Sequence, residues 1–208
     1  AHVVFVPSSD TLPGDHAPPS PANVGRRVAP LRDLRRLVLD DERQSLATII
    51  SGEAAARLYA APAAFDAGPP RLRAGWASDP KNFSAQVETL GYFTDDRVDE
   101  PGEVAVRGDV IDIFPADAGR PARIEIADGK IAGIRRYNPA TQLTEESCEV
   151  LEIGRAAEPE SEAKVSILAH LPPGRIVLSP KADERRQRFT RLAKVTADAD
   201  YAVIDAVS

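Results

Sequence analysis

The sequence reads as an α/β protein in which a strand-rich α+β domain is inserted into an α/β domain built from both chain ends. Three observations predict this. Strand-like and helix-like segments alternate at either end, which is the pattern of a layered α/β domain. The stretch 76–153 is mostly strand-like. That stretch also concentrates negative charge: it holds 8 Lys+Arg against 16 Asp+Glu, net −8, whereas the remainder holds 18 against 16, net +2. The boundaries drawn from these features are 1–75, 76–153 and 154–208, with two separate α/β domains as the alternative. A chain of 208 residues has room for one large domain or two small ones.

HVVFVP (2–7) predicts a short buried strand, and the Pro/Ser/Asp/Gly-rich stretch 7–23 an irregular loop. Residues 24–39 have helical spacing in Val24, Val28, Leu31, Leu34 and Val38, with Pro30 expected to kink or split the helix. SLATII (45–50) is β-branched strand. A short helix follows in 51–62, with Ser51 as N-cap and Pro62 beyond its end. Residues 62–75 read as a linker. A helix runs from Pro80 to Leu90, capped by Asp79, with Phe83, Val87 and Leu90 as its apolar stripe. After the strand-rich middle, the 165–208 stretch returns to alternation. RIVLSP (175–180) predicts a strand, KADERRQRFTRLAKV a polar helix and YAVIDAV (201–207) a further strand.

Within the middle, ARIEI-ADGK-IAGI is the clearest hairpin, because Asp128-Gly129 accepts positive φ in a tight turn. PGEVAVRGDVIDIFP (101–115) is less regular. Val104 and Val106 place even positions on the buried face, while Ile111 and Ile113 place odd ones there. Gly108 lies at the change of phase and predicts a β-bulge that turns Ala105, Arg107 and Asp112 outward. Val110 and Phe114 stay ambiguous. Ile131 and Ile134 are three apart with Gly133 between, so a second bulge there buries both and turns Arg135 outward. Arg107, Arg123 and Arg135 then share one face, suited to bidentate pairing with a partner's carboxylates. The pattern by itself favours the plainer reading, in which Arg107 merely pairs with Asp109 or Asp112 on a solvated face. An adhesion role for Arg107-Gly108-Asp109 carries little weight, since the triplet reads as embedded in strand.

Composition narrows the function classes. The net charge of −8 makes the middle domain a poor general phosphate binder and a better match for a protein partner. No phosphate loop, dinucleotide fingerprint, metalloprotease helix or nucleophile elbow occurs, and His2, His16 and His170 are far apart, so neither a cofactor, a metal nor a catalytic constellation is expected. No apolar run approaches membrane-spanning length. The single cysteine, Cys148, points to a reducing cytosol, and its carboxylate neighbours favour a structural thiol over a nucleophile. The absence of methionine and the strand-like opening AHVVFV read as a piece of a longer chain or a chain with residues missing.

PGEVAVRGDVIDIFP followed by RIEIADGKIAGIRRYNPATQ (123–142) resembles the second domain shared by the bacterial transcription-repair coupling factors (the Mfd family) and the excision-repair protein UvrB. VPSSDTLPGDHAPPSPANVGRRVAPLRDL (6–34) is similar to the first α/β part of that module, and SILAHLPPGRIVLS (166–179) to the segment that returns to it. The LGY…PGEVAVRG spacing is closer to the coupling factors; VFVPSSDT (4–11) is similar to UvrB, the second choice. The resemblance implies a helicase-like α/β domain without nucleotide-binding motifs and an inserted domain that docks UvrA. It implies a parent that is an ATP-dependent DNA translocase meeting RNA polymerase and DNA, with a C-terminal domain able to mask the UvrA surface. Carried over by position, the UvrA-contacting arginines fall on Arg107 and Arg123, with Arg135 a neighbour. The family's aromatic, four residues after the second arginine, falls on Ala127, a departure that puts the strength of UvrA binding in question. The alternatives are a UvrB-type helicase fragment or a structural or autoinhibitory module whose UvrA site has decayed. Gly108, Gly129 and Gly133 are expected to serve structure.

Overall fold

The computed structural model describes residues 2–40 and 45–201. The chain is mixed α/β and divides into two compact units. One comprises Ala1–Pro19, Ala29–Gly68 and Pro159–Ser208; the other comprises Ser20–Val28 and Pro69–Glu158.

In the first unit, β1 (His2–Val6) pairs in parallel with β2 (Leu46–Ile50). A parallel pair needs a long crossover, and α1 (Pro21–Leu39), whose residues 21–28 count with the second unit, lies between the two strands in sequence. This helix runs unbroken through Pro30. Complete burial of Leu31 and Leu34 offsets the hydrogen bond that proline removes. Val38, expected on the same stripe, is exposed. The helix expected in 51–62 is shorter. In α2 (Gly52–Ala56) the Ser51 side chain accepts from the Ala54 N–H, as an N-cap does. The chain then turns into β3 (Leu58–Ala60), because those backbone groups pair with a distant strand, β12, at Lys164–Ser166.

In the second unit the linker-like stretch contains β4 (Arg71–Arg73), which pairs with β11 (Val150–Glu152). Between them come α3 (Pro80–Glu88), β5 (Phe93–Thr94), β6 (Glu103–Arg107), β7 (Val110–Ile113), β8 (Ala122–Ala127), β9 (Lys130–Tyr137) and β10 (Thr144–Ser147). Strands five to ten form one sheet in the order β10-β9-β8-β7-β6-β5. Asp79 Oδ1 accepts from the Lys81 N–H and starts α3. Phe83, Val87 and Leu90 bury against Val104, Ile111, Ile113, Ile124, Ile126, Ile131 and Ile134, which line one face of the sheet. The second bulge is present: pairing with β8 shifts between Glu125↔Gly133 and Ile126↔Ile131, so Ile131 and Ile134 are both buried.

The first bulge is not. Gly108 and Asp109 form a two-residue hairpin turn between β6 and β7, with Arg107 opposite Val110. Gly108 adopts φ +60° at the first turn position, which a primed turn requires. The phase change arises because an even turn pairs even residues with odd ones, and no strand residue is inserted. The β8–β9 turn uses Asp128 (φ 51°) and Gly129 (φ 70°) as expected.

Back in the first unit, Ile167–His170 form a 3-10 turn after β12. Residues 175–179 do not form the expected strand. They have no ladder partner among the described residues, and Ile176, Val177 and Leu178 are exposed. Ser179 instead caps α4 (Pro180–Thr196), accepting from Ala182 N–H at 3.2 Å. The expected strand 201–207 lies outside the described residues beyond Tyr201. The Tyr201 ring stacks on Phe189 at 6.4 Å, and its hydroxyl donates to buried Glu53 at 2.7 Å.

Gly25, in α1, approaches the backbone of Ala116 so closely that a Cβ would overlap its carbonyl. Alanine is the better helix former by about 1 kcal/mol, yet Gly25→Ala is expected to lower the urea unfolding midpoint, with a net loss of about 1–3 kcal/mol. His170 is buried, donates Nε2–H to the Ala60 carbonyl at 3.0 Å and faces Phe65 edge-on. Burial lowers its pKa. The unfolded chain therefore binds the proton more readily, and stability present at neutral pH falls as pH drops through the ordinary histidine value of about 6.5. Denaturation midpoints at pH 7.5 and 5.5 are expected to differ in this sense, and His170→Gln to shrink the difference.

Candidate functional site: an arginine-bearing sheet face

The face of the large sheet opposite α3 is built by strand alternation. Directly opposed residues share a face, and the register sets Ala105, Asp112, Arg123, Arg135 and Ser147 in one row across β6, β7, β8, β9 and β10. A neighbouring row is Arg107, Val110, Glu125 and Gly133. The three predicted arginines are thus brought to one face, and Ala127 lies exposed at the far end of β8.

Part of this face is covered. The segment 95–101 lies over it, placing Val98 in a small apolar cluster with Ala105 and Phe114. Glu103 Oε2 holds the segment by accepting from the N–H groups of Asp99 at 2.7 Å and Glu100 at 2.8 Å. Tyr137 donates its hydroxyl to the Val98 carbonyl at 3.2 Å. Ala105 and Asp112, expected to be exposed, are therefore buried, each about 2% exposed. They do point to the predicted face; a covering loop that alternation cannot register removes them from solvent.

Asp112 organises the charges. Its Oδ1 accepts from Arg123 Nε at 2.7 Å and its Oδ2 from Arg123 Nη2 at 2.9 Å. Arg107 Nη2 lies 3.5 Å from the same Oδ2 and donates to the Asp96 carbonyl at 2.9 Å. The Arg123 guanidinium also sits over the Tyr137 ring, 5.2 Å from its centroid. The Asp112 hydrogen bond pushes the Arg123 pKa further up, and burial raises that of Tyr137, so both keep their ordinary protonation. Arg107 is 54% and Arg123 27% exposed in their side chains. Two cations thus converge on one carboxylate, leaving positive charge in excess and accessible. Arg135 differs: it pairs with Glu125 at 3.1 Å.

The pairing of Arg107 with Asp112, one of the two partners considered from sequence, is present. The triplet Arg107-Gly108-Asp109 sits at a hairpin tip and not inside a strand, with its arginine engaged by Asp112 and Asp96. Sequence reading missed Tyr137 and the role of Asp112. The signal for the latter was available: a two-residue turn at Gly108-Asp109 sets Asp112 opposite Ala105, diagonal to Arg107. Cys148 is half-buried just beyond β10, and burial pushes its thiol pKa up against the lowering effect of Arg136. Among the described residues no helix is long and apolar enough to cross a membrane.

A family model described as the UvrB interaction domain matches residues 71–158. The chain is 33% identical over 97 residues to the transcription-repair-coupling factor of Bacillus subtilis (strain 168), covering 45% of this chain and 8% of that protein. It is 37% identical over 87 residues to that of Staphylococcus aureus (strain MSSA476), covering 42% and 7%. It is 45% identical over 64 residues to that of Borreliella burgdorferi, covering 31% and 6%. The chain thus spans less than a tenth of the length of these curated relatives. Residues 71–158, which carry the sheet and its arginine face, thus match the UvrB interaction domain model, and the chain is similar over part of its length to transcription-repair-coupling factors.

Proposed function

We propose that the chain is a non-catalytic docking module that recruits UvrA, and that its contact surface is the outer sheet face bearing Arg107 and Arg123. The observation that carries this reading is the convergence of both guanidiniums on the single buried carboxylate of Asp112. Positive charge in excess on a rigid sheet suits a partner's carboxylate in a unit whose overall charge is negative. In this reading the parent is a cytoplasmic, ATP-driven DNA translocase that meets stalled RNA polymerase, and the present chain supplies its link to excision repair. Arg107→Ala and Arg123→Ala are each expected to weaken capture of purified UvrA by about 2 kcal/mol or more, roughly 30-fold, as loss of a hot-spot arginine does. Circular dichroism and unfolding midpoints check that the fold persists. Wild-type affinity in both variants would overturn the assignment.

A second reading, a structural or autoinhibitory module with a decayed UvrA site, draws on one observation. Ala127 is exposed on the arginine face, at the position where the resemblance implies an aromatic. The docking reading expects measurable UvrA binding by the wild type and a gain of about 1 kcal/mol or more in Ala127→Phe, as an added aromatic anchor supplies. Binding titrations of the two proteins side by side decide between the readings: no binding by either favours decay.

A further inference from the structure

We infer that Asp112 is a positioning residue for docking: it fixes the Arg123 guanidinium over Tyr137 and draws Arg107 beside it, so that the pair presents one preformed cradle for a single carboxylate of the partner. This rests on the docking reading above and names the chemistry of its contact.

The geometry has three parts. First, the acceptor is fixed. Asp112 is 2% exposed, on the central strand β7, and directly opposite Ala105 and Arg123 in the ladders on either side. Second, the donor is constrained on two sides. Arg123 spends Nε and one Nη2 proton on the two Asp112 oxygens and rests against the Tyr137 ring, which the Val98 hydrogen bond holds in turn. That leaves both Nη1 protons and the second Nη2 proton for a further acceptor, on a side chain that is 27% exposed. Third, Arg107 and Arg123 approach the same oxygen, Oδ2, from the two strands that flank β7. Two like charges this close repel unless an anion lies between them. Asp112 screens part of that repulsion from below, and a partner carboxylate above would complete the neutralisation. Arg135 stands outside the cradle because Glu125 already pairs with it.

A pre-set fork binds more tightly than a free one because the ordering cost is met before the partner arrives. The Asp112→Asn variant keeps the side-chain size but loses the charge and one acceptor, and is expected to lower UvrA affinity at least about tenfold, close to the effect of Arg123→Ala. Arg123→Lys keeps the charge but has no planar fork to bridge both oxygens, and is expected to lose a similar factor. In 15N-labelled protein the Arg123 Nε–H signal is expected to exchange slowly with water in the wild type and rapidly in Asp112→Asn, a readout that a general loss of stability would not single out. The inference is overturned if Arg123→Ala loses binding while Arg123→Lys and any folded Asp112→Asn retain wild-type affinity. If Arg107→Ala and Arg123→Ala both bind UvrA normally, the docking reading itself has failed and the cradle falls with it. Arg123→Lys, at a partly exposed position, decides the matter if Asp112→Asn does not fold.

Discussion

The outer face of the large sheet depends on one buried charge. A carboxylate removed from water must be matched by cations and hydrogen bonds or it does not stay ionised. At Asp112 the match is supplied by Arg123 through two bonds and by Arg107 at longer range. The arrangement needs the hairpin registers that set these residues side by side, and the covering segment 95–101 that excludes water. Each of these is a local structure with its own cause: primed turns at 108–109 and 128–129, and the Glu103 carboxylate collecting two backbone donors. The exposed arginines are therefore a consequence of how the sheet solves a burial problem. Their orientation is more tightly set than that of ordinary surface arginines, whose side-chain entropy works against any fixed geometry.

The same logic explains how a unit rich in carboxylates can display a cationic patch. Net charge governs long-range steering, whereas recognition at contact distance follows the local balance. Asp95, Asp96, Asp99 and Glu100 are exposed along the covering segment, yet the hydrogen bonds and ion pairs of Arg107 and Arg123 go to the Asp112 carboxylate and the Asp96 backbone carbonyl. A partner with a carboxylate at the centre of its contact and basic groups around it would meet complementary charge at both ranges.

Much of this unit was legible in the residues because its signals are local. Asp79 and Pro80 start α3, Asp128-Gly129 turns β8 into β9, and the three-residue spacing of Ile131 and Ile134 marks the bulge. What failed were readings that needed a distant partner. The pattern around Gly108 is the same for a bulge and for a two-residue turn, and only the pairing of Arg107 with Val110 separates them. Residues 58–60 look helical in sequence, but their backbone is claimed by Lys164–Ser166, more than a hundred residues on. Residues 175–179 have the composition of a strand and no described neighbour to pair with, and composition alone does not make a ladder. Asp112 alternates like an exposed residue and is buried by a loop whose course no periodicity records.

Ala127 shows where geometry and composition part. It lies on the arginine face four residues beyond Arg123, about 13 Å along the strand at the usual rise, too far to touch the guanidinium cradle. An aromatic at that distance would add apolar contact at the edge of the patch without altering how Arg123 is held. In the docking reading its absence removes an anchor and leaves the charged centre intact. Contacts this far apart contribute nearly independently, so a face with Ala127 retains the directional part of recognition and gives up part of its buried apolar area. Such a surface depends more on charge, and hence on salt, than one with the aromatic in place.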